Sequence, residues 1–222
     1  LDDVLRSDPE LHSPNEHAQL ETLLLWKRCL SRMDMTSKTL VAAIEPGSCF
    51  AGILLELAFA ADRTYILDGQ FEEEDNPLPP TVIQLTATNF GAVPMWNGLS
   101  RVESRLWGDE TGIATAADFV DRELDASQAA QLGLVTATPD DLDWSEELRL
   151  FIEERSSFSP DALTAMEANH RFCGPETMAT KIFARLSAWQ NWIFTRPNAS
   201  GPTGALQRYG SGSRPDFDNQ RT

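Results

Sequence analysis

The sequence TLVAAIEPGSCFAGILLELAFAAD occupies residues 39–62 and contains the sharpest change of pattern in the chain. Its first six residues are almost all apolar, which predicts a short strand covered on both faces. Glu45-Pro46-Gly47 ends that strand, and the run from Ile53 to Ala61 is dominated by Leu, Ala and Glu, which favours a buried helix over a strand. Residues 63–67 predict a second strand, so this stretch indicates an α/β fold.

The rest of the chain continues the alternation and then changes. Apolar spacing predicts a helix over 16–34, preceded by an exposed polar loop that carries His12 and His17. Further predicted elements are a strand at 81–86, a helix at 97–106, a helix at 127–132 ended by Gly133, and a strand at 134–136. Beyond residue 139 only helices are predicted, at about 144–155, 160–170 and 175–194, the last with Pro175 in its first turn. We therefore predict two parts, 1–138 and a helical region with an extended tail over 139–222. The acidic, proline-rich stretch 71–80 is interpreted as a surface loop.

Composition excludes several classes of function. The chain of 222 residues carries 34 acidic and 18 basic residues, a net charge of -16, which repels the phosphates of nucleic acids. No apolar run approaches the length of about 20 residues that a membrane-spanning helix needs. The cysteines, Cys29, Cys49 and Cys173, lack CxxC spacing, which predicts a reducing, cytoplasmic location and no metal site. Because the first residue is Leu1 and no signal pattern follows, we expect a piece of a longer protein.

Glu56 is the most suggestive titratable residue. Its helical neighbours three and four positions away are small or apolar, namely Gly52, Ile53, Phe59 and Ala60. A carboxylate on such a face either opens onto a cleft or is buried with a raised pKa, which suits a general acid or base. The alternative is a narrow exposed edge of the helix where Glu56 is simply solvated.

The turn before this helix offers a second candidate feature. Gly52 precedes the helix, and backbone N–H groups at a helix N-terminus can stabilise an oxyanion; the alternative is an ordinary turn glycine. Cys49 could act as a weak nucleophile, but without a partner histidine we favour a small core residue. The aromatic-rich face of the last predicted helix is interpreted as core or subunit contact rather than as a cofactor site.

Three segments together resemble the enoyl-CoA hydratase/isomerase (crotonase) superfamily. They are residues 38–62, residues 91–102 and residues 124–135, and their order along the chain matches the superfamily's. Within the superfamily, segments 45–52, 89–91, 97–101, 139–144, 187–194 and 196–199 resemble a branch that acts in aerobic benzoate degradation. The resemblance runs from about Lys38 to the C-terminus.

The resemblance implies a fold and a reaction. The fold is a partial spiral of β-β-α turns followed by a helical C-terminal region. The reaction opens the ring of 2,3-epoxybenzoyl-CoA with two waters, giving formate and 3,4-dehydroadipyl-CoA semialdehyde. Coenzyme A is then part of the substrate, no separate cofactor is needed, and we expect a homo-oligomer.

The resemblance also assigns site residues. Glu56 matches a catalytic glutamate, and Gly52 with Ile53 matches the oxyanion turn. Cys49, Phe90, Asn97 and Gly98 are assigned to the oxyanion or substrate-binding surroundings.

Two departures from the superfamily pattern stand out. Pro46 lengthens the turn by one residue, so the N–H that meets the thioester oxygen is defined only to within one position. Ala87 occupies the position of a second catalytic glutamate, and alanine cannot transfer a proton. We therefore expect residues 1–222 alone to be inactive, and two alternatives stay open: an ordinary enoyl-CoA hydratase or isomerase, and a non-catalytic assembly partner with the same fold.

Overall fold

The computed structural model describes residues 1–71, 78–171 and 173–220 and divides the chain into two compact units. The first unit contains residues 1–34 and 40–148, and the second contains residues 35–39 and 149–222. The elements of the first unit are α1 (Asp2–His12), α2 (His17–Asp34), β1 (Val41–Ile44), α3 (Gly52–Phe59), β2 (Arg63–Ile66), β3 (Ile83–Gln84), a 3-10 turn (Ala87–Phe90), α4 (Arg101–Arg105), α5 (Glu110–Ala117), β4 (Glu123–Leu124) and α6 (Ala126–Gln131). Helix α7 (Trp144–Ser156) begins in the first unit. The division of the chain at 138/139 stays a prediction.

The strand-helix-strand unit predicted for residues 39–67 is present. Strands β1 and β2 pair in parallel with Val41 opposite Arg63 and Ile44 opposite Ile66, and α3 connects them. Strand β1 is not covered on both faces, because Ala42 and Ile44 are buried while Val41 and Ala43 point outward. A second ribbon pairs β3 antiparallel with β4, and an isolated bridge joins Ala51 to Gln84.

Helix α3 is the centre of the first unit. Its buried residues are Gly52, Ile53, Leu55, Glu56, Ala58 and Phe59. Leu55 and Ala58 pack in the main core with both pairs of strands, whereas Ile53 packs in a separate cluster with Leu11 and Leu30. The helix is therefore covered on most of its surface, as its composition predicts.

Several predicted boundaries are wrong for local reasons. The helix predicted at 97–106 begins only at Arg101, because Ser100 caps it and exchanges hydrogen bonds with Glu103. The strand predicted at 134–136 is replaced by irregular chain, in which the Thr136 N–H donates to the Thr64 carbonyl. The predicted strand at 81–86 is reduced to Ile83–Gln84, and helix α5 was not predicted.

The helix predicted over 16–34 is confirmed by α2, and the polar loop predicted before it is limited to residues 13–16. His12 ends α1 and His17 begins α2, although both side chains are exposed as expected. The sequence does not predict helix α1 because the surface of this helix is mostly polar. Its buried residues are Asp8 and Leu11. The predicted surface loop 71–80 lies largely outside the described residues, which omit 72–77.

The second unit is helical, as predicted. It contains the end of α7, then α8 (Pro160–His170), α9 (Met178–Thr180) continuing as a π-helical turn (Lys181–Leu186), α10 (Ser187–Ile193), α11 (Pro197–Ser200) and α12 (Ala205–Arg208). Pro175 lies before the cap residue Thr177 and not in the first turn. Phe183 is 77% exposed and Leu186 is 53% exposed, so these side chains do not lie in the core of the second unit, and their interpretation as a subunit contact stays a prediction.

Among the described residues, no helix is both long and apolar enough to cross a bilayer.

Candidate active site

Glu56 lies on α3, one helical turn after Gly52, and only 1% of it is exposed. The alternative of a solvated helix edge is therefore wrong. The Asn89 side-chain amide donates to Glu56 Oε1 at 2.7 Å, and Arg101 Nη1 donates to Glu56 Oε2 at 2.8 Å. Both carboxylate oxygens thus have a partner in the interior, as a buried charge requires.

The surroundings of Glu56 act on its pKa in opposite directions. Burial is the largest influence and raises the pKa above the ordinary value of 4.5, because removal from water disfavours the charged form. The positive charge of Arg101 and the hydrogen bond from Asn89 lower the pKa, and the net direction is upward. A carboxyl group with a raised pKa is suited to proton transfer near neutral pH.

Arg101 is the cation of this site and is 2% exposed. Its Nε and Nη2 atoms donate to Asp34 Oδ1 and Oδ2 at 3.1 and 2.6 Å, the two-pronged geometry that a guanidinium favours. Its Nη1 atom also donates to the Val93 carbonyl at 2.9 Å. One guanidinium therefore holds two buried carboxylates, those of Asp34 and Glu56.

Asn89 connects Glu56 to Gly52, the first residue of α3. It lies in the 3-10 turn that Thr86 caps, and its Oδ1 atom accepts from the Thr86 N–H. Its Nδ2 atom donates to the Gly52 carbonyl at 2.9 Å as well as to Glu56. A single amide thus separates the carboxylate from the turn at which the sequence predicts an oxyanion.

The predicted oxyanion turn already holds a carboxylate. The Ile53 N–H donates to Asp8 Oδ1 at 2.7 Å, and the hydroxyls of Thr86 and Thr88 donate to Asp8 Oδ2 at 2.6 and 2.7 Å. Gly52 has a φ of +45°, and a Cβ atom there would lie 2.1 Å from Asp8 Oδ1, so only glycine fits.

The other predicted site residues lie outside this buried network. Cys49 is exposed, so its interpretation as a core residue is wrong; it belongs to the turn between β1 and α3. Asn97 and Gly98 are exposed on the loop before α4, and Phe90 is half-buried against the main core. Ala87, at the position of the missing glutamate, is exposed between Thr86 and Thr88.

Sequence reasoning missed four functional candidates: Asp8, Asp34, Asn89 and Arg101. Asn89 and Arg101 stand within the quoted motifs, so a search for polar partners of Glu56 there would have found them. Asp8 and Asp34 lie on helices whose polar surface gave no signal. Among the described residues, no cluster of three or more His, Cys, Asp or Glu side chains is arranged to hold a metal ion.

No family model matches the chain. The curated benzoyl-CoA-dihydrodiol lyase of Aromatoleum evansii is 54% identical over 201 residues, which are 90% of this chain and 35% of that protein. The chain thus spans about a third of the length of this relative.

Two solved structures of similar fold are distant from this chain in sequence. An enoyl-CoA hydratase/isomerase from Cupriavidus metallidurans CH34 aligns with a TM-score of 0.64 at 19% identity, covering 97% of this chain and 72% of that one. An enoyl-CoA hydratase from Bacillus anthracis aligns with a TM-score of 0.62 at 16% identity, covering 93% and 72%. The α/β fold of enoyl-CoA hydratases with a helical C-terminal region, and the resemblance on which it was predicted, are confirmed.

Proposed function

We propose that this chain, which has the enoyl-CoA hydratase/isomerase fold, is the catalytic part of a ring-opening acyl-CoA lyase. The proposed reaction converts 2,3-epoxybenzoyl-CoA and two waters into 3,4-dehydroadipyl-CoA semialdehyde and formate. The seven acyl carbons are shared between a six-carbon product and a one-carbon product, so formate release reports the carbon-carbon cleavage directly. The 54% identity to a benzoyl-CoA-dihydrodiol lyase supports this substrate class.

The observation that carries the proposal is the setting of Glu56. Its carboxyl is buried, has a raised pKa, and is linked through Asn89 to the Gly52 carbonyl at the start of α3. We assign to Glu56 the transfer of a proton to or from the water that attacks the ring. Arg101 keeps the charged form accessible, because its guanidinium stabilises the carboxylate once the proton has left.

The surrounding residues complete the proposed site. The turn at Gly52 and Ile53 holds the thioester oxygen as negative charge develops on it, because helix N-terminal N–H groups stabilise such charge. We assign substrate contacts to the exposed Cys49, Asn97 and Gly98 and to the half-buried Phe90. The substrate brings its own coenzyme A, and no further cofactor is needed for a reaction that adds only water.

The proposal extends to assembly and location. We infer a homo-oligomer in which the exposed aromatic face of the second unit, with Phe183 and Phe194, is covered by another subunit. We also infer a cytoplasmic enzyme, since neither Cys29 nor Cys49 forms a disulfide.

The test replaces Glu56 by Gln in the protein at its full natural length. Gln keeps the size of Glu56 but cannot transfer a proton, and its amide nitrogen replaces one of the two oxygens that accept from Asn89 and Arg101. Formate release is therefore expected to fall by at least about a hundredfold, a typical general acid-base contribution. Binding of benzoyl-CoA, measured by calorimetry, is expected to stay within a few-fold of the unmodified protein. Glu103→Gln is the matched control, because the Glu103 carboxylate lies in the cap of α4, where it accepts from the Ser100 N–H. Formate release that survives Glu56→Gln would remove Glu56 from the mechanism.

A second candidate function is a non-catalytic assembly partner. The exposure of Phe183, Leu186 and Phe194 on one helical segment favours it. Calorimetry on the full-length protein separates the two, since an assembly partner would bind no acyl-CoA ester. An ordinary hydratase is less favoured because Ala87 provides no second carboxylate, and hydration of crotonyl-CoA is the assay that would reveal it.

A further inference from the structure

The carboxylate of Asp8 is held by three hydrogen-bond donors, which we name the Ile53 cradle: the Ile53 N–H and the hydroxyls of Thr86 and Thr88. Asp8 Oδ1 accepts from the Ile53 N–H at 2.7 Å, and Oδ2 accepts from the two hydroxyls at 2.6 and 2.7 Å. Asp8 is 2% exposed. The positive end of α3 adds to the attraction, so the cradle is matched to a negatively charged oxygen.

Asp8 reaches this position from a distant part of the chain. The residue that precedes α3 is Ala51, which offers no side-chain cap, and Asp8 supplies the acceptor from 45 residues away. A cap requires one acceptor for one N–H. Here two threonine hydroxyls, on either side of the exposed Ala87, converge on the same carboxylate.

The Ile53 N–H cannot serve two oxygens fully, because it carries a single hydrogen. The proposed function places the thioester oxygen at this turn, where Asp8 Oδ1 now stands. We propose that Asp8 is an internal stand-in for the substrate oxygen, and that the thioester displaces it from the Ile53 cradle. This inference rests on the proposed function. It adds Thr86 and Thr88 as substrate-binding residues, whose hydroxyls turn from Asp8 to the thioester oxygen.

Displacement of Asp8 requires local movement of helix α1. Leu11 is the apolar side chain of α1 that is fully buried, while Val4 and Leu5 are half-buried. Pro9 follows Asp8 directly and removes one backbone N–H from the helix, which weakens it locally. The contact of Asp8 with the cradle is therefore the main polar attachment of α1 at the site.

The first part of the test is Asp8→Ala in the full-length protein. This change deletes the carboxylate group and leaves a gap that a formate ion, itself a carboxylate, can fill. Sodium formate is expected to raise the melting temperature of Asp8→Ala, in a saturable way, while sodium chloride at equal ionic strength does not. Asp3→Ala on the exposed side of the same helix is the matched control, since the Asp3 side chain is 93% exposed. Adding Thr88→Val to Asp8→Ala is expected to abolish the effect of formate.

The second part measures benzoyl-CoA, which carries the thioester without the epoxide. Asp8→Ala removes the internal competitor, so its dissociation constant for benzoyl-CoA is expected to fall about tenfold, the equivalent of one good hydrogen bond. Asp3→Ala is expected to bind as the unmodified protein does.

Each outcome decides between the proposals. The inference is overturned if formate stabilises Asp8→Ala no more than Asp3→Ala, or if benzoyl-CoA binds Asp8→Ala no more tightly than the unmodified protein. If neither protein binds benzoyl-CoA at all, the proposed function fails, and the stand-in role fails with it.

Discussion

Replacement of Arg101 by Met tests the buried charge network most directly. Arg101 is 2% exposed and makes four hydrogen bonds, two to Asp34, one to Glu56 and one to the Val93 carbonyl. Met is apolar and unbranched, so it fills much of the space and removes the charge. The ion pairs of Arg101 with Asp34 and with Glu56 are then both removed. Breaking one buried ion pair in this way costs about 3–5 kcal/mol of unfolding free energy.

That magnitude translates into a measurable shift. With a urea dependence of about 2 kcal/mol per molar, the unfolding midpoint at pH 7 is expected to fall by about 1.5–2.5 M. Tryptophan fluorescence follows the transition, with Trp144 a buried reporter in the first unit. The control is Arg6→Met, because Arg6 pairs with Asp3 on the surface, where an ion pair contributes about 0.2–1 kcal/mol.

The pH dependence of this effect has a definite sign. The pKa of Glu56 is raised in the folded protein, so the folded state binds its proton more tightly than the unfolded chain does. Its contribution to stability is therefore present at low pH and is lost as the pH rises through the folded pKa. Arg101→Met raises that pKa further, so the loss of stability relative to the unmodified protein is expected to be larger at pH 8 than at pH 5. A midpoint shift below about 0.5 M at pH 7, or a difference that shrinks as the pH rises, would refute this account of the network.

Two further changes have expected outcomes in the same denaturation assay. Gly52→Ala is expected to destabilise the first unit by more than about 2 kcal/mol, since it combines a positive φ with a Cβ atom 2.1 Å from Asp8 Oδ1. The double variant Asp8→Ala/Gly52→Ala is expected to recover part of that loss. If nothing is recovered, the backbone angle alone is responsible. Ser100→Ala is expected to lower the unfolding free energy by about 1 kcal/mol, because it removes the acceptor for the Glu103 N–H at the start of α4. Ser127→Ala, at an exposed serine, is the comparison, and equal stabilities of the two variants would argue against the cap.

The local part of the fold could be predicted because its signals lie close together in the sequence. In residues 39–67, Glu45-Pro46-Gly47 marks the boundary between two apolar runs, and the structure has a strand, a helix and a strand there. Helix α8 begins and ends where predicted, since Ser159 and Pro160 mark its start. The predicted start of α4 is wrong because the helix is capped by Ser100 and does not begin at the Asn97-Gly98 turn.

The candidate site could be predicted only in part. The burial of Glu56 followed from its apolar neighbours on the same helix, which is a local property. Its partners did not, since Arg101 is 45 residues away and Asn89 is 33 residues away along the chain. The pairing of Asp8 with Ile53 is equally non-local. Hydrophobic periodicity places a residue on the buried side of a helix, but it carries no information on which distant polar group meets it there.

The contact between Asp8 and Gly52 has a consequence for natural variation. A side chain at position 52 would overlap with the carboxylate of the residue at position 8, so the two positions are not free to change independently. Homologous proteins are expected to have glycine at 52 wherever an acid is found at 8, and a larger residue at 52 only where position 8 has become small. An alignment of many such sequences is expected to show correlated changes at position 8 on α1 and position 52 at the start of α3.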